Sequence, residues 1–244
     1  MNAIEIHGLT KKYKEKIAVK SLTLSIQQGQ VFGLLGVNRA GKTTTIRMLS
    51  CITKPTSGDA IILGKNILSE PQAVKEMINV SPQETAVAPN LTVRENLELI
   101  AGIYGQHGRT EREKAANIVE YLGLAEVEKE RAKTLSGGWQ RRLSIAMALI
   151  SEPKILFLDE PTLGLDVLAR RELWSIIEKL KGNVTIILTT HYLEEAQALS
   201  DMIGILAGGE LKALGTPAEL IAKTNASTFE DAFIALATGS EKVL

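Results

Sequence analysis

The chain has one cysteine, Cys51, so no disulfide can form within it. It has no excess of either charge, with 28 basic and 28 acidic side chains. That balance excludes a protein that coats nucleic acid by bulk charge, though not a local cationic site. It has no long apolar run. Its unbroken stretches fall far short of the ~20 residues that span a bilayer, so work at a membrane requires another anchor. The opening, MNAIEIHGLTKKYKEK, lacks the apolar core of a secretory signal, and with the lone cysteine this points to the cytosol. There is neither an internal repeat nor a low-complexity tract. What is present is core material: 45% of the 244 residues are hydrophobic and 23% charged, which suits a sizeable core and argues against disorder.

Ile4 and Ile6 alternate with polar residues, as do Leu22, Leu24 and Ile26, which predicts strands at the start. QQGQ at 27–30 and KPTSGD at 54–59 read as turns. VFGLLG at 31–36 reads as a buried strand running into a glycine-rich loop, 42–50 as a helix, and AIIL at 60–63 as a strand. Strand signal then fades. Leu97 and Ile100 fit one amphipathic helix, Ile118 and Leu122 another, and glycines at 102, 105 and 108 loosen the link. Strand signal returns at ILFL (155–158), VTIILTT (184–190) and MIGIL (202–206), separated by helical stretches at 167–181 and 192–200. Strands alternating with helices imply an α/β fold with a mostly parallel sheet covered on both faces. The expected layout is a core over 1–83 and 135–225, a helical insertion over 84–134, and a short helical tail over 226–244.

Residues 36–43, GVNRAGKT, match G-x-x-x-x-G-K-[ST] between a strand and a helix. Backbone N–H groups there form an anion nest, and the helix N-terminus adds partial positive charge. The expected nucleotide contacts are Gly36, Asn38, Arg39, Ala40, Gly41, Lys42, Thr43 and Thr44. Lys42 should reach the outer phosphates and Thr43 should place its hydroxyl on Mg²⁺. KILFLDE delivers Asp159 and Glu160 to the carboxyl end of the sheet, where ligands bind in open α/β folds. Asp159 can hold Mg²⁺ through water, and Glu160 can polarise an attacking water. Further on, Ser136 is a good N-cap, but Gly137 and Gly138 occupy a first helical turn at ~1 kcal/mol each relative to alanine. They make sense if another phosphate must approach that helix closely.

TLSGGWQRRLSIAMALISEPKILFLDEPTLGLD, residues 134–166, resembles the nucleotide-binding subunit of an ABC transporter, and the resemblance covers nearly the whole chain. It implies a P-loop NTPase with a RecA-like core, an N-terminal antiparallel β subdomain and an inserted helical subdomain. It implies ATP and Mg²⁺ as ligands, and a head-to-tail dimer with an identical or related ATPase subunit. In that dimer Ser136, Gly137 and Gly138 face ATP bound by the partner. By the same resemblance Tyr13 stacks on adenine, and Gln83 contacts Mg²⁺ and water. His191 binds the γ-phosphate and orients Glu160, and Asp166 reaches across the dimer. The catalytic set is then Glu160, His191, Lys42 and Gln83, and the metal set Thr43, Gln83 and Asp159. Trp139, TVRENLELIAGIYG at 92–105 and TFEDAFIALATG at 228–239 resemble the exporter branch that includes antibiotic and multidrug efflux. The resemblance thus implies export of a drug-like, antibiotic-like or lipid-like molecule through a separate membrane permease subunit, with this subunit peripheral on the inner face of the cell membrane. No nucleic acid partner is expected. An importer ATPase and a soluble or regulatory ATPase are the alternatives. Arg39 stands where the family usually has glycine. Two outcomes are open: the loop is strained or adjusts slightly and the side chain points to solvent, or Arg39 alters affinity or obstructs the approaching LSGG segment.

Overall fold

The structure, a computed structural model, describes residues 1–239; the last five residues of the expected tail lie outside the described residues. The chain opens with two long antiparallel strands, β1 (Asn2–Tyr13) and β2 (Lys16–Gln27). Next come β3 (Val31–Gly36), helix α1 (Lys42–Leu49), β4 (Ser57–Ile62), the two-residue β5 (Lys65–Asn66), α2 (Pro71–Met77) and β6 (Ile78–Ser81). The stretch poor in strand signal holds α3 (Val93–Ile103) and α4 (Arg109–Tyr121), followed by two short 3₁₀ turns. Then α5 (Gly137–Leu149), β7 (Ile155–Asp159), α6 (Val167–Leu180), β8 (Thr185–Thr190), α7 (Leu193–Leu199), β9 (Met202–Ala207) and β10 (Glu210–Gly215) lead to α8 (Pro217–Thr224) and α9 (Phe229–Thr238).

Among the described residues the strands form two sheets. One is antiparallel in the order β2-β1-β4-β5. The other runs β10-β9-β3-β8-β7-β6, parallel except for β10, which returns along β9 as an edge hairpin. Every residue of VFGLLG, ILFLD and TIILTT is buried, as strands covered on both faces require. Alternate residues serve different cores. Leu156, Leu158, Ile186 and Leu188 pack with α3–α6. Ile155, Phe157 and Ile187 pack with α1 and the antiparallel sheet. A third cluster joins Ile203 and Ile205 to α8 and α9 through Leu220 and Phe229.

Local chemistry sets the helix starts. Thr92 and Glu95 form a capping box on α3, and Thr216 and Glu219 another on α8, which also has proline in its first turn. KPTSGD is not wholly a turn: its last three residues begin β4, with Ser57 and Asp59 paired to Thr10 and His7 of β1. Cross-strand pairing overrides the turn propensity of Ser, Gly and Asp there.

Candidate functional site

Three adjacent parallel strands, β3, β8 and β7, end at the same edge of the sheet. Their carboxyl ends supply the glycine-rich loop, His191, and the Asp159–Glu160 pair. Glu160 and His191, with Tyr13 and Gln83, line one open cleft of about 560 Å³; Gly36 and Asp159 are not among its lining residues, though Asp159 contacts Thr43, which is. Asn38 through Thr44 all border it. Tyr13, the last residue of β1, is exposed at its mouth, with the Lys11 ammonium 5.0 Å from its ring centroid. Gln83 is exposed two residues past β6.

The loop is shaped for an anion. Gly41 has φ 108°, and a Cβ there would lie 2.5 Å from the Ala18 carbonyl oxygen, so only glycine fits. No side chain caps α1, which leaves its first N–H groups to a ligand. Lys42 is buried, and its Nζ donates to the carbonyls of Gly36 (2.7 Å) and Val37 (3.3 Å). Arg39 has φ 69° and an exposed side chain at the edge of the cleft. That backbone carries ~1–2 kcal/mol of strain for a residue with a Cβ.

Glu160 is the hub. It is 8% exposed, and its two oxygens are divided: Oε1 lies 3.2 Å from Lys42 Nζ and Oε2 lies 2.6 Å from His191 Nδ1. Its backbone is left-handed at φ 49°, a further ~1–2 kcal/mol of strain that the surroundings must impose. In a strand Asp159 and Glu160 would point to opposite faces. The left-handed turn ends β7 between them, where Asp159 faces Thr43 and Glu160 faces Lys42 and His191.

Asp159 accepts from Thr43 Oγ1 at 3.2 Å and from Thr189 Oγ1 at 2.6 Å. Thr189 also accepts from the Glu160 amide, through its hydroxyl at 3.0 Å and its carbonyl at 3.1 Å. One wholly buried threonine thus holds the Asp159 carboxylate and the Glu160 backbone. Sequence reasoning missed it, because Thr in TIILTT reads as an ordinary strand former. Arg141 was missed as a site residue as well. It is 3% exposed, donates to three backbone carbonyls, and burial pushes its guanidinium below the usual arginine range.

A hydroxyl and a carboxylate in contact are hard oxygen donors. Among the described residues no group of three or more His, Cys, Asp or Glu gathers as a cage. The Thr43 hydroxyl beside the Asp159 carboxylate fits a hard cation that keeps several waters and substrate oxygens, as Mg²⁺ does.

The remaining expected residues stand apart from the cleft. Ser136 caps α5, accepting from the Trp139 amide at 3.5 Å, and is exposed with Gly137. Asp166 caps α6, accepting from the amides of Leu168 (2.9 Å) and Ala169 (3.0 Å). The two glycines differ. A Cβ on Gly138 would sit 3.0 Å from Ala169 Cβ, so close packing of α5 on α6 accounts for it. A Cβ on Gly137 would meet only Leu165 Cδ2, at 4.0 Å. Nothing among the described residues demands that glycine.

The family model described as "ABC transporter" matches residues 19–163. The daunorubicin/doxorubicin resistance ATP-binding protein DrrA of Streptomyces peucetius is 42% identical over 219 residues, 89% of this chain and 66% of that protein. The linearmycin resistance ATP-binding protein LnrL of Bacillus subtilis is 39% identical over 227 residues, 92% of this chain and 73% of that protein. The chain thus spans about two thirds of the length of the first of these relatives. Among solved structures, an ATP-binding subunit of an ABC transporter superposes with TM-score 0.84 at 26% identity, over 96% of this chain and 99% of that one. A dimeric post-hydrolysis state of the ATP-binding cassette MJ0796 bound to ADP and Pi gives TM-score 0.79 at 27% identity, over 87% and 98%.

Proposed function

The chain belongs to the ABC transporter family, and from that premise we propose that it binds and hydrolyses ATP to drive export of a drug-like, antibiotic-like or lipid-like molecule through a separate membrane subunit. The observation that carries the hydrolytic part is Glu160 held between Lys42 and His191 beside the phosphate loop. Phosphoryl transfer to water asks the protein mainly for positioning and charge stabilisation. The loop amides and Lys42 receive the phosphate chain, and Tyr13 stacks on the base. Thr43 and Asp159, aided by Gln83, would hold Mg²⁺, which would supply charge neutralisation on the phosphate oxygens. Glu160 polarises the attacking water, and His191 holds its carboxylate and the outer phosphate in line.

Ser136, Gly137 and Asp166 are exposed and outside the cleft, which supports their serving the cleft of a second ATPase subunit in a head-to-tail dimer. The insertion over 84–134 is the proposed seat of the membrane subunit. Among the described residues no helix is long and apolar enough to cross a membrane. Attachment to the inner face of the membrane is accordingly assigned to that partner. The two resistance proteins named above support the exporter branch.

The test is MgATP hydrolysis by the full chain across protein concentration. The rate per molecule should rise with concentration, and Glu160→Gln should lower it by about 10²–10⁴, the scale of a lost general base. Turnover that is strictly linear in concentration and indifferent to Glu160→Gln refutes the reading. Co-purification with a polytopic membrane protein tests the transport half.

A further inference from the structure

Two segments separated in sequence, at Pro82–Gln83 and at Glu160, converge on one buried guanidinium. Arg141 stands five residues after Ser136 on α5. Its Nη1 donates to the Pro82 carbonyl at 2.5 Å, and its Nη2 to the carbonyls of Gln83 (2.8 Å) and Glu160 (3.0 Å). Among the described residues no carboxylate pairs with it directly; Asp159 and Glu195 offset its charge from further away. A buried charge without an ion-pair partner is a poor device for stability alone, since apolar side chains of similar volume commonly do as well. What it supplies is geometry. A rigid planar fork reaches acceptors spread over two segments in fixed directions, where an ammonium is a compact point charge with rotatable donors.

Those acceptors matter. Thr189 holds the Glu160 amide, and Arg141 holds the Glu160 carbonyl, so the left-handed residue is pinned on both sides. The same guanidinium fixes the segment that carries Gln83. We propose that Arg141 is a positioning residue for hydrolysis: it keeps Glu160 in the backbone conformation that sets its carboxylate between Lys42 and His191, and it locks the Gln83 segment and the Ser136 helix to that carboxylate as one unit. Movement of either element then shifts the water-polarising oxygen, although Arg141 touches no substrate.

This rests on the ATPase reading above, and the test separates the two. In the full chain, Arg141→Lys keeps the charge and loses the fork. The turnover number should fall about ten-fold or more, the scale of a small misplacement of a reacting group. KM and the dissociation constant for MgATP should stay within about two-fold, because the loop and Lys42 are untouched. Without nucleotide, exchange of the Gln83, Glu84, Glu160, Thr162 and Leu163 amides should quicken. In a Glu160→Gln background, Arg141→Lys should lower single-turnover hydrolysis no further, since residues acting as one unit are not additive. Wild-type turnover in Arg141→Lys, an equal loss in affinity and turnover, or losses that add in the double variant overturns the inference. Should the lysine variant not fold, Arg141→Gln removes the buried charge and keeps an amide donor. The same split is expected there, and full turnover overturns the inference equally. A wild-type chain without ATPase activity refutes the proposed function instead.

Discussion

Thr189→Val is the most informative small change in this molecule. Valine keeps the shape and removes one oxygen. That oxygen is fully buried and donates at 2.6 Å to the Asp159 carboxylate while accepting from the Glu160 amide. The amide keeps a partner in the Thr189 carbonyl at 3.1 Å, so the loss falls on Asp159. A hydrogen bond to a charged group contributes about 1.5–3 kcal/mol. For a chain of this size each kcal/mol moves the melting midpoint about 2–4 °C, so a drop of about 3–12 °C is expected. Function should suffer in a specific way. Asp159 loses the group that orients it, and loss of a residue supporting a metal ligand lowers metal affinity about 10–100-fold. The assay is ATP hydrolysis against Mg²⁺ concentration, with a thermal melt in parallel. Half-saturating Mg²⁺ should rise by about that factor, and Thr189→Ser should restore it. A melting midpoint and a Mg²⁺ dependence both equal to wild type would refute the reasoning, because the relay from β8 to Asp159 would then contribute nothing.

Arg39→Gly should release the ~1–2 kcal/mol of left-handed strain while adding about 0.5–1 kcal/mol of unfolded-chain entropy. A melting midpoint at or slightly above wild type is expected. ATP titration and turnover in the same variant decide whether the exposed side chain hinders the cleft, with higher turnover favouring a weakly hydrolysing wild type. Gly138→Ala should be destabilising, since its Cβ would meet Ala169 at 3.0 Å. Gly137→Ala should melt as wild type and yet hydrolyse ATP poorly; full activity there would remove the case for a phosphate approaching α5. Glu195 is wholly buried, and burial holds its carboxyl above the ordinary value of 4.5, although Trp174 Nε1 donates to it at 3.2 Å. A carboxyl with a raised native pKa stabilises most below its unfolded value, and that contribution is lost as pH rises through the native one. Melts of Glu195→Gln should therefore improve relative to wild type as pH climbs above 4.5, and a constant difference would count against the shift.

The sequence made the chemistry-bearing strands legible because each is an apolar run closed by a polar residue: VFGLLG by the loop, ILFL by Asp159, TIIL by its threonines. The phosphate loop was legible as a spacing, and the SGG segment as glycine where a helix would avoid it. The edge elements were not. INVS of β6 is four residues with two buried, and α2 buries only Val74 along its seven, so neither has a period to detect. The β10 hairpin escaped because Glu210 and Lys212 make an edge strand look like loop. Thr189 and Arg141 were opaque for another reason. Both types are common and mostly exposed elsewhere, and only the packed fold shows that these two are buried against the carboxylate pair.

The central strands carry a further consequence. Apolar on both faces, they have no inside-outside alternation to punish a slip of one position during assembly. The hydroxyl–carboxylate contact between directly opposed Asp159 and Thr189 forms only in the native alignment. The groups placed for chemistry therefore also act as dowels in the frame, telling β7 and β8 where to stop sliding.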